Sequence, residues 1–329
     1  LNSFKVTDGV FENLVSGFAL SAAPIVEINS PLLDKKGISL SVKREDLIHP
    51  LISGNKWHKL KYNIQQAKSS GFNTILTFGG AYSNHIYSTA AAGSIFRINT
   101  IGIIRGEEHL PLNPTLEFAA GSGMNIQYVS RKDYRNRNSN EFVLKLKEKF
   151  GKFYLVPEGG TNSLAVLGSM EILSEQTSQY DYICSPCGTG GTIAGLIKGS
   201  CGHQNVLGFS VLKGGEFLKD NVKTLLKDDE GINQKKWAIN TDYHFGGYAK
   251  FNSELIDFTS RFINQHRIPV EPIYTGKMFF GIFDLAKKNF FRPGTSILAV
   301  HTGGLQGING LIERFPGIFR NIFPESYSL

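Results

Sequence analysis

Cysteine is nearly missing from this chain: only Cys184, Cys187 and Cys201 occur in 329 residues. So sparse and odd a set excludes a disulfide-stapled secreted scaffold and suits a reducing cytoplasm. Cys184 and Cys187 form a C-x-x-C, which leaves a redox pair open. No second pair follows, so a four-thiolate zinc site is not supported. The histidines show no metal-ligand spacing either, and no metal is assigned. Apolar runs are too short to cross a bilayer, so no membrane partner is expected. No nucleic-acid module is present, although the net charge is +7. The lysines are scattered, and the cluster Lys145, Lys147, Lys149 and Lys152 reads as a solvated helix face. Internal repeats and low-complexity linkers are also absent. The chain opens on Leu1 without a methionine, which leaves a removed leader open.

What is present describes a folded protein. The chain is 41% hydrophobic and 19% charged, with 36 glycines, which excludes a disordered or fibrous chain. Its length accommodates two domains, or a large one with a smaller insertion, and a core that needs no cross-links. Short β-rich runs recur at Thr74–Phe78, Thr100–Ile104, Ile126–Val129, Phe153–Val156, Tyr180–Cys184, Val206–Val211 and Ser296–His301. Helical spacing lies between several of them. Trp57, Leu60, Ile64 and Ala67 share one face, and Phe142, Leu146 and Phe150 repeat every fourth residue behind Ser139 or Asn140 as cap. The alternation predicts an α/β fold with mostly parallel strands.

Ligands in such sheets bind in the loops beyond the strand ends, so the glycine-rich loops carry the functional reading. Cys187-Gly188-Thr189-Gly190-Gly191-Thr192 follows a strand and precedes an apolar helix. Its amides, with the helix dipole, suit an anion such as phosphate; a plain tight turn is the alternative. It is not a P-loop, since no Gly-Lys-Ser/Thr follows, nor a dinucleotide fingerprint, since Ile193 replaces the third glycine.

Lys56, in Gly54-Asn55-Lys56, falls in the first turn of a helix, where a cation is electrostatically unfavourable. Beside a phosphate-bearing cofactor its pKa could drop and make it an amine nucleophile. The alternative is a solvated lysine like Lys59 and Lys61. Ser83 and Asn84 suit a helix N-cap and, equally, a grip on a carboxylate. Tyr274, in Glu271-Pro272-Ile273-Tyr274-Thr275-Gly276-Lys277, is either core packing or an acid–base group. His301, before Thr302-Gly303-Gly304, reads as a satisfied buried histidine.

Together these segments resemble the family of 1-aminocyclopropane-1-carboxylate deaminase and D-cysteine desulfhydrase. These are pyridoxal-phosphate enzymes of the tryptophan-synthase-β type, fold type II. The resemblance runs from about Lys43 to Gly310 and rests jointly on Gly54-Asn55-Lys56, Ser83-Asn84-His85, Glu158 to Asn162, Cys187 to Thr192 and Tyr274 to Lys277. It implies two open, twisted, mostly parallel sheets with helices on both faces. Residues 1–58 and 165–329 would form the large cofactor domain, with 59–164 as a smaller inserted α/β domain. It further implies pyridoxal phosphate attached to Lys56, with Asn84 on its ring hydroxyl oxygen. Gly188, Thr189, Gly190, Gly191 and Thr192 would hold its phosphate, and Thr275 or Thr302 would approach its ring nitrogen. Ser83, Asn84 and His85 would bind a substrate carboxylate, with Tyr248 and Tyr274 facing the substrate. Catalysis would fall to Lys56, Tyr274 and Ser83, in a cytoplasmic homodimer.

Two positions bear on the reaction. The deaminases carry glutamate after the tyrosine, where this chain has Thr275, and glutamine where His85 stands. Both differences resemble D-cysteine desulfhydrase, which converts its substrate to pyruvate, sulfide and ammonia. The alternative is deamination of 1-aminocyclopropane-1-carboxylate to 2-oxobutanoate and ammonia. An alternative of another class is a non-catalytic metabolite-binding protein, against which Lys56, Ser83 and Tyr274 together argue. Trp57-His58, in place of a small residue plus arginine, and Phe245–Lys250 depart from the family pattern and could reshape the pocket.

Overall fold

The computed structural model describes residues 20–323 apart from 230, 232 and 233; the expected domain ends at Leu1 and Leu329 lie outside the described residues. In chain order the strands are β1 (Ile25–Glu27), β2 (Ser39–Lys43), β3 (Thr74–Gly79), β4 (Asn99–Arg105), β5 (Asn125–Val129), β6 (Tyr154–Val156), β7 (Tyr182–Cys187), β8 (Asn205–Ser210), β9 (Lys236–Asn240) and β10 (Ser296–Val300). They form two sheets, one ordered β1-β2-β10-β7-β8-β9 and the other β5-β4-β3-β6. Every pairing is parallel except β1 with β2. Parallel strands need helical crossovers that cover the faces, which is why these strands read as continuous apolar runs. Each run expected from the sequence is a strand, with ends moved by no more than three residues. β1, β2 and β9 were not expected: β1 is only three residues long, β2 alternates serine with apolar residues, and β9 is an edge.

β7 shows how the core is divided. Cys184 belongs to the cluster on one face of the larger sheet, with Leu40, Phe209 and Phe279. Ile183 and Cys187 belong to the other, with Ile193 and Leu298. Side chains alternate along a strand, so residues three apart face opposite ways. The two thiols are therefore separated by the sheet, and no redox pair forms between them. Burial raises both pKa values, that of Cys187 to about 12, so they are inert packing groups.

The helix Asn55–Ser69 buries the face Trp57, Leu60, Ile64 and Ala67, none more than 4% exposed. Each larger apolar side chain there contributes about 1.5–3 kcal/mol by leaving water. Glycines set how close this helix comes to the site. A Cβ on Gly168 would lie 1.9 Å from the His58 carbonyl oxygen, so the helix Ser163–Met170 can seat against it only as glycine. That second helix packs in turn on the helix Gly191–Gly199. The first helix and the glycine loop before the last are thus fixed to one another. The helix Asn140–Phe150 begins at Ser139, whose hydroxyl accepts from Phe142 N at 3.2 Å, and Lys145, Lys147 and Lys149 are exposed on it.

Candidate active site

The ends of β7 and β10 and the start of the helix Asn55–Ser69 converge on Lys56. Gly54 makes that convergence possible. Its φ is 62°, and a Cβ would fall 2.0 Å from the Thr302 carbonyl oxygen. Only glycine allows both the left-handed backbone and the approach to the β10 end. Asn55 N then donates to Thr302 O at 3.2 Å, which fixes the first helical turn against the strand end.

Lys56 is half-buried, and its Nζ donates to Asn55 Oδ1 at 2.9 Å. Asn55 Nδ2 in turn donates to Thr192 Oγ1 at 2.8 Å, which ties the lysine to the glycine loop. Burial brings the Lys56 pKa down to about 8, opposed by the Glu271 charge. At neutral pH this raises the fraction of nucleophilic amine by about two orders of magnitude over an ordinary lysine.

Lys59 departs from its expected solvated state. It is 3% exposed, and its Nζ donates to Thr161 Oγ1 at 2.9 Å and Thr189 Oγ1 at 3.4 Å. Burial, then the charge of Lys56, hold its pKa well below that of a free lysine. Lys61 is also buried, at 6% exposed, and pairs with Glu171. The three-lysine run is therefore an inward feature of the helix.

The loop Gly188 to Thr192 leads into the helix Gly191–Gly199 through Gly190, whose φ is 90°. A Cβ on Gly188 would lie 3.1 Å from Tyr274 Cε1, and one on Gly191 would lie 3.1 Å from Lys59 Nζ. The loop is thus a cradle that side chains would fill, open toward a buried ammonium group. A dianionic phosphate suits it: the amides and helix dipole accept negative charge, and Lys59 gains the counter-charge it lacks. The Thr161 and Thr189 hydroxyls, 2.6 Å apart, stand at the same place. The donor set fits a phosphate-bearing cofactor whose aldehyde meets Lys56.

Other sequence candidates divide into two groups. Asn84 borders the site: its side chain approaches Gly304 and Gly307 of the β10 loop. Ser83 is the N-cap of the helix Asn84–Phe96, accepting from Ile86 N at 3.3 Å. Tyr274 and Tyr248 lie ring to ring at 5.9 Å, 71° apart. His85, Thr275 and Thr302 are the buried members of this set. His85 is 2% exposed, with Nε2 2.8 Å from Thr77 Oγ1. Burial and the charges of Lys56 and Lys59 keep it neutral. Its Nδ1 has no hydrogen-bond partner among the described residues. Thr302 is 6% exposed. Thr275 is fully buried; its hydroxyl accepts from Glu271 N and contacts Glu271 Oε1, both at 3.1 Å. His301 is a satisfied buried histidine, between Pro269 O at 2.7 Å and Asp46 at 3.2 Å.

Asn55, Lys59, Thr161, Glu271 and Lys277 had no role in the sequence reading, although all lie in its motifs. Glu271 is 2% exposed and accepts from the amides of Ile273, Tyr274 and Thr275 at 2.6, 3.0 and 2.8 Å. Burial lifts its pKa to about 7 against those hydrogen bonds. Its signal was an acidic residue directly before proline and four residues ahead of a helix.

The fold and this constellation of lysine, glycine cradle and paired phenols define a pyridoxal-phosphate enzyme of fold type II. The chain belongs to the pyridoxal-phosphate dependent enzyme family, whose model matches residues 21–303. Among its relatives, a putative 1-aminocyclopropane-1-carboxylate deaminase of Pyrococcus abyssi is 34% identical over 286 residues, covering 83% of this chain and 86% of that protein. The bifunctional D-cysteine desulfhydrase/1-aminocyclopropane-1-carboxylate deaminase of Arabidopsis thaliana, a mitochondrial protein, is 30% identical, covering 91% of this chain and 80% of its own. The crystal structure of an ACC deaminase homologue superposes with a TM-score of 0.77 at 26% identity, covering 94% of this chain and 98% of that one.

Proposed function

We propose that the chain is a D-cysteine desulfhydrase, carrying out α,β-elimination on a small amino acid. Lys56 binds the cofactor, and Lys59, Thr189 and the amides of Gly188 to Thr192 hold its phosphate. Asn84 meets the ring hydroxyl oxygen, and Thr275 or Thr302 flanks the ring nitrogen. Bound there, pyridoxal phosphate supplies an electron sink for charge developing at the substrate Cα. Ser83, Asn84 and His85 orient the substrate carboxylate, His85 being the buried member of that group. Lys56 Nζ, once free, removes the α-proton as a general base; its lowered pKa suits that task near neutral pH. Tyr274 Oη hydrogen-bonds the departing sulfur, which leaves as hydrosulfide. The products are sulfide and 2-aminoacrylate, which water converts to pyruvate and ammonia.

The state of Tyr274 carries this reading over the deaminase alternative. Burial, then the neighbouring Tyr248, raise its pKa well above that of an ordinary phenol, so it stays protonated. Hydrosulfide departs as an anion, so the elimination asks of Tyr274 only a hydrogen bond, which a neutral phenol can donate. Opening a cyclopropane that lacks an α-hydrogen would ask Tyr274 to act as base or nucleophile, the role its environment opposes. Thr275 supports the same side: it is neutral, with its hydroxyl engaged by Glu271.

The test is direct. Holoenzyme given D-cysteine is expected to release sulfide and pyruvate in equal amounts, and to release little 2-oxobutanoate from 1-aminocyclopropane-1-carboxylate. The reverse pattern would establish the deaminase. A cofactor-loaded protein that turns over neither, nor any other small amino acid, would leave the non-catalytic binding protein.

A further inference from the structure

Lys277 is a third inward lysine, and nothing in the elimination chemistry uses it. It occupies the first turn of the helix Thr275–Lys287, where the dipole disfavours a cation, and it is fully buried. Such a placement is costly unless the ammonium group is fully used. Its Nζ donates to two backbone carbonyls of one loop, His244 O and Gly247 O, each at 2.8 Å.

That loop is conformationally unusual. Phe245, Gly246, Gly247 and Ala249 have φ of 51°, 92°, 116° and 54°. Two of these four are not glycine, and left-handed backbone there persists only when the surroundings impose it. Two turns close the loop, through Gly247 N to His244 O at 3.0 Å and Lys250 N to Gly247 O at 3.1 Å. The carbonyls that close these turns are the two that Lys277 holds. From the second of these turns projects Tyr248, 44% exposed, against Tyr274. Tyr274 is the N-cap of the helix that carries Lys277. One side chain thus connects the element bearing one phenol to the loop bearing the other.

We infer that Lys277 is a positioning residue, which locks the loop His244–Lys250 so that Tyr248 stands against Tyr274 at the substrate. The inference rests on the reading that these two phenols face the substrate. The charge of Glu271 opposes the burial that draws the Lys277 pKa down to about 8, which favours the donor form the two carbonyls require.

The experiment uses Lys277→Met and the milder Lys277→Gln as cofactor-loaded proteins. Amide hydrogen exchange at Gly247 and Lys250 is expected to quicken about tenfold or more, while the helix Ser253–His266 keeps its protection. The kcat/KM for D-cysteine is expected to fall about tenfold or more with cofactor affinity unchanged. In a Tyr248→Phe background the same substitution should cost less than about twofold, because coupled residues are not additive. Unchanged exchange, or losses that multiply in the double variant, would overturn the inference. So would failure of both variants to fold, which would make Lys277 a residue of the fold alone. If wild type ignores D-cysteine, the reaction assignment fails separately; the exchange measurement still stands, and the kinetic arm moves to 1-aminocyclopropane-1-carboxylate.

Discussion

Lys59 presents a buried amine to the loop Gly188 to Thr192, and among the described residues its hydrogen-bond partners are the hydroxyl oxygens of Thr161 and Thr189. An unpaired buried cation is unfavourable, and a bound phosphate relieves it. Lys59→Met is therefore expected to weaken pyridoxal phosphate affinity about 10- to 100-fold, the worth of one charge-assisted hydrogen bond. Affinity for pyridoxal, which lacks the phosphate, should change little. Titrating the apoprotein with both compounds checks this, and an equal loss for both would contradict the phosphate role. This residue was illegible in the sequence for a physical reason. Lys56, Lys59 and Lys61 read as ordinary solvated lysines, and Thr161, Thr189 and Gly191, which enclose Lys59, are distant in sequence. Lys56, Tyr274 and the glycine loop were legible because several motifs occurred in a fixed order. His85 and Thr275 were legible as neighbours of the site, but not their hydrogen bonds to Thr77 and Glu271, which depend on backbone geometry.

At the level of elements, the site depends on how closely one helix start approaches one strand end. Gly54→Ala would place a methyl group 2.0 Å from the Thr302 carbonyl oxygen on a backbone with φ 62°. The expected result is a loss of more than about 3 kcal/mol in a denaturant titration, or no folded protein. An alanine variant as stable as its parent would contradict the approach. The interior strands could be read because both faces are covered and their apolar runs are continuous. β2 and β9 could not, since one alternates serine with leucine and valine and the other closes a sheet edge. The capping residues were readable where one side chain closes one turn, as Ser83 and Ser139 do. The loop His244–Lys250 could not be read, because its left-handed residues Phe245 and Ala249 are held by a lysine some thirty positions away.

For the whole molecule, part of the net charge of +7 is internal. Lys59, Lys61 and Lys277 are buried, and Lys56 is half-buried. The basic balance thus reflects an anion site and a loop anchor as well as the surface. The fold assembles this interior from two sheets, one built from strands between Thr74 and Val156 and the other from strands on both sides of that segment. Residues of both border Lys56, which is why no single stretch of sequence contains the site. This interior is expected to hold pyridoxal phosphate covalently on Lys56. Borohydride reduction of the holoenzyme, followed by proteolysis and mass spectrometry, tests it most directly. The reduced cofactor is expected on the peptide carrying Lys56, and none on that peptide in Lys56→Ala. Label on Lys59 or Lys277 in the wild-type protein, or no label after saturation with the cofactor, would contradict it.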